Sequence, residues 1–155
     1  FVSQMIVQRL ARRPWAFQKP RHGRAERYPQ RSLYGPTAVI IDQHAGSDGD
    51  IFPESFRILG LGPLIGTRTW GGVVGIRADK PFIDLGMSTQ PEFAWWEPDR
   101  GWSLENSGVA PDIEVDLTPA DRVAGRDPQL DRAIQWLMQK LEENPVDVPG
   151  PPEWK

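Results

Sequence analysis

The sequence of 155 residues predicts an α/β fold. A β-branched run at 38–41 is typical of a short buried strand, and a Gly/Asp cluster follows it at 46–50. Apolar residues then recur at helical spacing from Ile51 to Leu59, and Gly60 is a natural helix end. The apolar segment 64–67 predicts a second strand. Because the crossover between the strands is long enough for parallel pairing, this order indicates a βαβ unit.

Composition bounds the class of protein. The length suits one domain with a sizeable core, and 39% hydrophobic with 25% charged residues is typical of a globular chain. No apolar run approaches the ~20 residues of a membrane span, so no membrane partner is expected. The absence of cysteine excludes disulfides and cysteine-bound metals within these residues. A basic stretch runs from Arg9 to Arg31, but the net charge is −3, and we favour a solvated arm over a nucleic-acid partner.

The first 36 residues predict a helix followed by an irregular arm. Apolar spacing predicts an amphipathic helix from Phe1 to Arg12, and a chain that starts inside such a pattern suggests the tail of a longer polypeptide. Four prolines between 13 and 36 exclude a helix or a central strand there, so we expect a loop or an interaction arm. In the helix after the strand at 38–41, Pro53 is tolerated only in a first turn. We therefore expect that helix to begin near Asp50 or Ile51.

The second half predicts strands followed by a helix. Two β-hairpins are expected, one pairing 73–76 with 82–85 and one pairing 92–96 with 101–104. A brief strand is expected at 113–115. Asp127 caps the last helix and Pro128 occupies its first position, and one apolar face follows, formed by Leu130, Ala133, Ile134, Leu137 and Leu141. We place the domain at 1–143 and an extended, proline-rich tail at 144–155.

Ser47 lies in the sharp turn between the predicted strand and helix. This placement suits a nucleophile, because the serine oxygen projects from the backbone beside the free amides of a helix start. Serine also frequently caps a helix, and the local pattern leaves both interpretations open. A calcium loop built on Asp42, Asp48 and Asp50 is disfavoured, because the spacing lacks the bidentate glutamate of an EF-hand.

Three segments occur together in the order found in one peptidase family. They are Ala45–Phe52, Ile65–Val73 and Glu105–Val115. The chain resembles the C-terminal catalytic part of tricorn-type serine peptidases of family S41, from Phe1 to about Leu141. The resemblance implies a spiral β/α catalytic domain of the ClpP/crotonase style.

The resemblance also chooses between two catalytic devices. In the processing-peptidase branch a lysine serves as the base, but Gly72 stands at that position here. The tricorn branch uses a Ser–His pair assisted by a second serine and a glutamate. Its motifs imply that Ser47 and Glu105 are the catalytic residues of this chain and that the Asp48 amide is an oxyanion donor. The family's histidine, its second serine and its other oxyanion donor lie upstream of these residues.

The implied chemistry is hydrolysis of short peptides through an acyl-enzyme, downstream of the proteasome, without cofactor or metal. A cytoplasmic homo-oligomer, a hexamer by resemblance, is implied as well. Because the base lies upstream, these 155 residues alone are expected to be inactive. We favour a structural role for His44 over a role as base, and His22 is a weaker candidate still. A catalytically silent interaction module of the same fold and a crotonase-like acyl-CoA enzyme are the alternatives.

Overall fold

A computed structural model gives the structure of residues 2–77 and 79–153. These residues form four helices and seven short strands. The helices are α1 (Ser3–Leu10), α2 (Asp48–Ile58), α3 (Pro119–Val123) and α4 (Pro128–Glu143). The strands are β1 (Ala16–Gln18), β2 (Glu26–Tyr28), β3 (Val39–Ile41), β4 (Leu64–Gly66), β5 (Gly75–Arg77), β6 (Gln90–Phe93) and β7 (Ile113–Glu114).

A parallel sheet in the order β3-β4-β7 forms the centre of the fold. Ile40 lies opposite Ile65, and Ile65 lies opposite Ile113. The central strand β4 is fully buried, as expected for a parallel strand covered on both faces. The parallel β3–α2–β4 unit confirms the predicted order of strand, helix and strand, and the predicted strand at 113–115 is confirmed as β7.

Helix α2 packs on this sheet and contributes Phe56 to the core, which also holds Leu64, Val73 and Val109. The predicted helix start near Asp50 or Ile51 is wrong, because α2 begins at Asp48 and Pro53 lies in its second turn. Proline removes one intrahelical hydrogen bond there. The helix nevertheless continues, since the Pro53 ring is fully buried and its packing offsets the lost bond.

The arm between α1 and β3 is more ordered than its prolines suggest. Strands β1 and β2 form a separate antiparallel hairpin, with Phe17 opposite Arg27. The Trp15 and Tyr28 rings meet edge to face, with their centroids 5.2 Å apart. The prediction of a loop is therefore wrong for this hairpin, although no helix or central strand occurs in the arm.

Neither predicted hairpin of the second half forms as expected. β5 pairs with β6 instead of with 82–85, which lies in a turn. The Phe93 ring of β6 packs on Gly75 of β5, where an added Cβ would overlap the ring, so a larger residue there requires the ring to move. Of the other hairpin only the turn at Pro98–Asp99 is present, closed by an isolated bridge between Glu97 and Gly101.

The C-terminal helix is confirmed with its cap. The Asp127 carboxylate accepts a hydrogen bond from the Leu130 amide at 2.9 Å. Its predicted apolar face is only partly covered, since Ala133 is buried while Ile134 is 50% exposed. Helix α3 was not predicted; its signal is the capping box between Thr118 and Asp121.

The termini lie partly outside the described residues, which exclude Phe1, at the start of the predicted first helix, and Trp154 and Lys155, at the end of the tail. Residues 144–153 form no regular helix or strand, and the Tyr34 hydroxyl donates to the Asp147 carbonyl at 3.0 Å. The division of the chain at 143/144 stays a prediction.

Within 2–77 and 79–153, no helix is both long and apolar enough to cross a bilayer.

Candidate active site

Ser47 stands at the junction of the β3–α2 turn and the helix. It occupies the N-cap position of α2 with φ 55° and ψ −112°, a left-handed backbone that non-glycine residues rarely adopt. The side chain is exposed and makes no capping hydrogen bond. Helix capping therefore does not account for a serine at this position. Strained backbone at an exposed hydroxyl is typical of a nucleophile turn.

Asp48 presents a free amide directly after this serine. In the first turn of α2 the Gly49 amide donates to Gly46 and the Asp50 amide donates to Ser47. Within the described residues, the Asp48 amide has no acceptor. An unpaired N–H at a helix N-terminus is suited to binding an anionic oxygen.

The Asp48 carboxylate points to a different element. It accepts from the Val2 and Ser3 amides at 3.1 and 3.0 Å and from the Ser3 hydroxyl, and so it caps helix α1. Burial alone would raise the pKa of this carboxyl, but the hydrogen bonds from Ser3 and Val2 outweigh it and hold the pKa below its ordinary value of 3.8. Asp48 thus ties the start of α1 to the residue that follows Ser47.

The turn at 70–74 holds the other side of Ser47. The Ser47 amide donates to the Gly72 carbonyl at 2.9 Å, and the Trp70 amide donates to the Ala45 carbonyl at 2.8 Å. Gly71 has φ +84°, and a Cβ there would lie 2.5 Å from the Gly108 amide nitrogen, so only glycine fits. Both backbone bonds fix the turn against the segment that carries Ser47.

Glu105 supports the same turn from its exposed side. Its Oε2 accepts from the amides of Val73 at 2.7 Å and Val74 at 2.6 Å. Among the residues that the structure describes, the carboxylate does not hydrogen-bond to Ser47 itself. It acts on Ser47 through the backbone of the turn, because the Gly72 carbonyl accepts from the Ser47 amide. This arrangement fits an orienting group, which acts by fixing geometry.

Ser47 and Glu105 line one cleft of about 440 Å³ together with the 70–74 turn and Ile76. The Trp70 ring covers Gly46 and Gly72 beside this cleft. A Cβ at Gly72 would lie 2.6 Å from the Trp70 ring, so a lysine at this position requires the indole to move. The structure thus brings the two predicted catalytic side chains to one cleft.

The histidines lie elsewhere. His44 is exposed in the β3–α2 turn and His22 is exposed between β1 and β2; among the described residues, neither belongs to the cleft lining. The three aspartates considered for calcium also diverge. Asp42 accepts from the amides of its own turn, Asp48 caps α1, and Asp50 accepts from Gly71.

One polar residue of the site has no functional role in the sequence interpretation. Asp50 is considered there only as the possible start of α2 and as a member of the disfavoured calcium loop. In the structure it is fully buried and its Oδ1 accepts from the Gly71 amide at 2.8 Å. A signal was present, since aspartate three residues after the serine falls on the inner side of the helix, but its partner 21 positions away could not be read from spacing.

Known proteins share the sequence of this chain along most of its length. The model of Peptidase family S41 matches residues 3–115. The tricorn protease of Thermoplasma acidophilum is 47% identical over 152 residues, which cover 98% of this chain and 14% of that protein. Tricorn protease homolog 1 of Streptomyces coelicolor is 46% identical over 147 residues, covering 95% of this chain and 14% of that protein.

Solved structures give the same relationship. The crystal structure of the tricorn protease superposes with a TM-score of 0.87 at 49% identity and covers 92% of this chain and 14% of the larger one. Mature CPAF superposes with a TM-score of 0.59 at 23% identity, over 73% of this chain and 22% of its own, which shows a shared fold alone. The chain therefore spans about one seventh of the length of the tricorn relatives it matches.

Proposed function

The chain belongs to peptidase family S41, and from this premise we propose that it carries the nucleophile side of a tricorn-type serine peptidase site. Ser47 is the proposed nucleophile. One observation supports this most strongly: an exposed hydroxyl without a capping bond stands on strained backbone at φ 55°, directly before the Asp48 amide, which has no acceptor among the described residues.

The proposed reaction is acyl transfer from a peptide to water. The Ser47 Oγ attacks the scissile carbonyl, and its proton passes to a histidine outside these 155 residues. The Asp48 amide donates to the oxygen that becomes negative, and one such donor is typically worth about a hundred- to thousand-fold in rate. The leaving amine takes the proton back from the histidine, and water then releases the acyl group from Ser47 by the same steps in reverse order.

Glu105 and the 70–74 turn contribute geometry in this proposal. The Gly72 carbonyl holds the Ser47 amide, and Glu105 holds the two amides that follow Gly72. A displaced turn would shift the Ser47 backbone and with it the alignment of Oγ and the Asp48 amide. Misplacement of reacting groups by ~1 Å can cost ~100-fold in rate.

The proposed substrates, compartment and oligomeric state follow from membership of the family. We propose short peptides produced by the proteasome or by other ATP-dependent proteases, and a cytoplasmic homo-oligomer with the hexamer as the expected form. The resemblance also implies cleavage after basic residues, through an acidic group that the arm contributes to the specificity pocket. Residues 14–25 contain no acidic side chain, so a preference for basic residues is not part of this proposal.

The test uses the full-length polypeptide that contains this chain. Ser47→Ala should abolish hydrolysis of fluorogenic peptides while circular dichroism and the melting temperature stay close to those of the parent. Ser55→Ala is the matched control, since Ser55 also lies in α2 but is absent from the cleft lining. Undiminished turnover in Ser47→Ala would overturn the proposal, and an inactive but folded parent would favour the silent interaction module.

A further inference from the structure

We propose that Asp50 is a positioning residue of this site: its buried carboxylate holds the 70–74 turn against α2 and so fixes the backbone of Ser47. The inference rests on the proposed function. It assigns a role to a side chain that lies within the protein and is neither exposed to solvent nor part of the cleft lining.

Asp50 contacts both segments that meet at Ser47. Its amide donates to the Ser47 carbonyl at 2.9 Å, and its Oδ1 accepts from the Gly71 amide at 2.8 Å. The next residue of the turn, Gly72, accepts from the Ser47 amide at 2.9 Å. A closed ring of hydrogen bonds therefore runs from Ser47 to Asp50, on to the turn, and back to Ser47.

Few of the hydrogen bonds that hold the 70–74 turn involve a side chain, so few of them can be removed by a substitution. The bonds of Trp70 to Ala45, of Asn106 to the Gly71 carbonyl and of Ser47 to the Gly72 carbonyl are all between backbone groups. Within the described residues, two side chains donate to or accept from the backbone of the turn. They are the carboxylates of Asp50, on the buried side, and Glu105, on the exposed side.

The burial of Asp50 argues against a role in stability alone. The residue is 0% exposed, and its second oxygen, Oδ2, makes no hydrogen bond within the described residues. A buried carboxylate with an unsatisfied oxygen lowers stability. A residue that breaks this rule is expected where function needs it, and here it supplies an acceptor at one defined point beneath Gly71.

The contacts predict which kinetic constant should change. Without the acceptor the Gly71 amide is buried and unpaired, and the turn must move to find another partner. Ser47 would then relax from its left-handed backbone, which moves Oγ relative to the Asp48 amide. Since the Asp50 side chain does not itself line the cleft, substrate binding should be largely preserved, so the loss should fall on kcat and on the reactivity of Ser47.

The experiment compares variants of the full-length polypeptide. Asp50→Ala should lower kcat and the rate of labelling by a fluorophosphonate by ~100-fold, with KM little changed. Asp50→Asn should restore most of both rates, because its amide oxygen can accept from Gly71. Asp50→Leu removes the acceptor without leaving a void, and it replaces Asp50→Ala if the alanine variant does not fold.

Glu54→Ala is the matched control. Glu54 is a second buried carboxylate of α2, 3% exposed, but it pairs with Arg57 and Arg100 and makes no hydrogen bond to the 70–74 turn within the described residues. Its replacement should lower the melting temperature while the labelling rate per folded molecule stays that of the parent.

Three results would overturn the inference: parental kcat and labelling in Asp50→Ala, parental values in Asp50→Leu where the alanine variant does not fold, or equal impairment of Asp50→Asn and Asp50→Ala. If Ser47→Ala still reacts with the fluorophosphonate, the proposed function has failed instead.

Discussion

Removal of the Glu105 carboxylate should slow turnover by an amount that the structure sets. Glu105→Ala removes the acceptor of two backbone amides, one in Val73, a residue that is 2% exposed, and one in Val74, a residue that is 37% exposed. Water can replace the acceptor at Val74, but the Val73 amide is left buried and unpaired, at a cost of about 2 kcal/mol. If this cost falls on the competent conformation of the turn, kcat drops about 30-fold, since about 1.36 kcal/mol is a factor of ten.

Glu105→Gln should be milder, because one side-chain oxygen can still accept from the turn. The loss of charge alone weakens such a bond by roughly 1 kcal/mol, which corresponds to about a fivefold lower kcat. The assay is steady-state hydrolysis of a fluorogenic peptide by the full-length polypeptide, with a thermal melt of each variant. Glu114→Ala is the control, since Glu114 is exposed on β7 and, within the described residues, its side chain makes no hydrogen bond or ion pair. Parental turnover in both Glu105 variants would reduce Glu105 to a turn residue and refute the orienting role.

Three further predictions concern the base, the lysine position and the cap of α1. The purified 155-residue chain should not hydrolyse peptides, because catalytic residues that act together lose most of their effect when one is missing, and both histidines of this chain lie away from the cleft lining. Turnover equal to that of the full-length polypeptide would make His44 the suspect base. Gly72→Lys should not rescue a full-length variant in which the proposed upstream histidine is replaced. The introduced side chain must displace the Trp70 ring, and it needs a pocket that lowers its pKa. Full rescue in the same assay would favour the Ser–Lys template. The pKa of the Asp48 carboxyl is lower in the folded chain than in the unfolded chain. Its stabilising effect is therefore complete above the unfolded-state pKa and is lost as the pH falls through the folded-state pKa. Melting temperatures of Asp48→Asn and the parent should converge in acid, and a difference independent of pH would contradict this.

The sequence predicted those elements that are determined by residues close together along the chain. Asp127 and Pro128 define the start of α4 because a cap and its first turn are neighbours in sequence, and the β-branched run before Asp42 predicts β3. The pairing of the strands could not be predicted in this way. β5 pairs with β6 because the Phe93 ring packs on Gly75, a contact between distant positions that no alternation within either strand reveals.

The same distinction applies to the candidate active site. The turn at Ser47 could be predicted, because strand, glycines and helix follow each other directly, and the resemblance supplied Glu105. The ring of hydrogen bonds behind Ser47 could not, since Asp50 and Gly71 are 21 residues apart and meet only when β4 returns the chain beside α2. Pro53 misled the prediction of the helix start because burial of its ring outweighed the lost hydrogen bond.

Mapping of a covalent adduct shows directly whether Ser47 is the nucleophile. The full-length polypeptide is treated with a fluorophosphonate, digested, and analysed by tandem mass spectrometry beside the Ser55→Ala and Ser47→Ala variants. We expect one adduct, on Ser47, with parallel loss of peptidase activity, the same adduct in Ser55→Ala and none in Ser47→Ala. An adduct on another residue that accompanies inactivation, or full inactivation with Ser47 unmodified, would contradict this expectation.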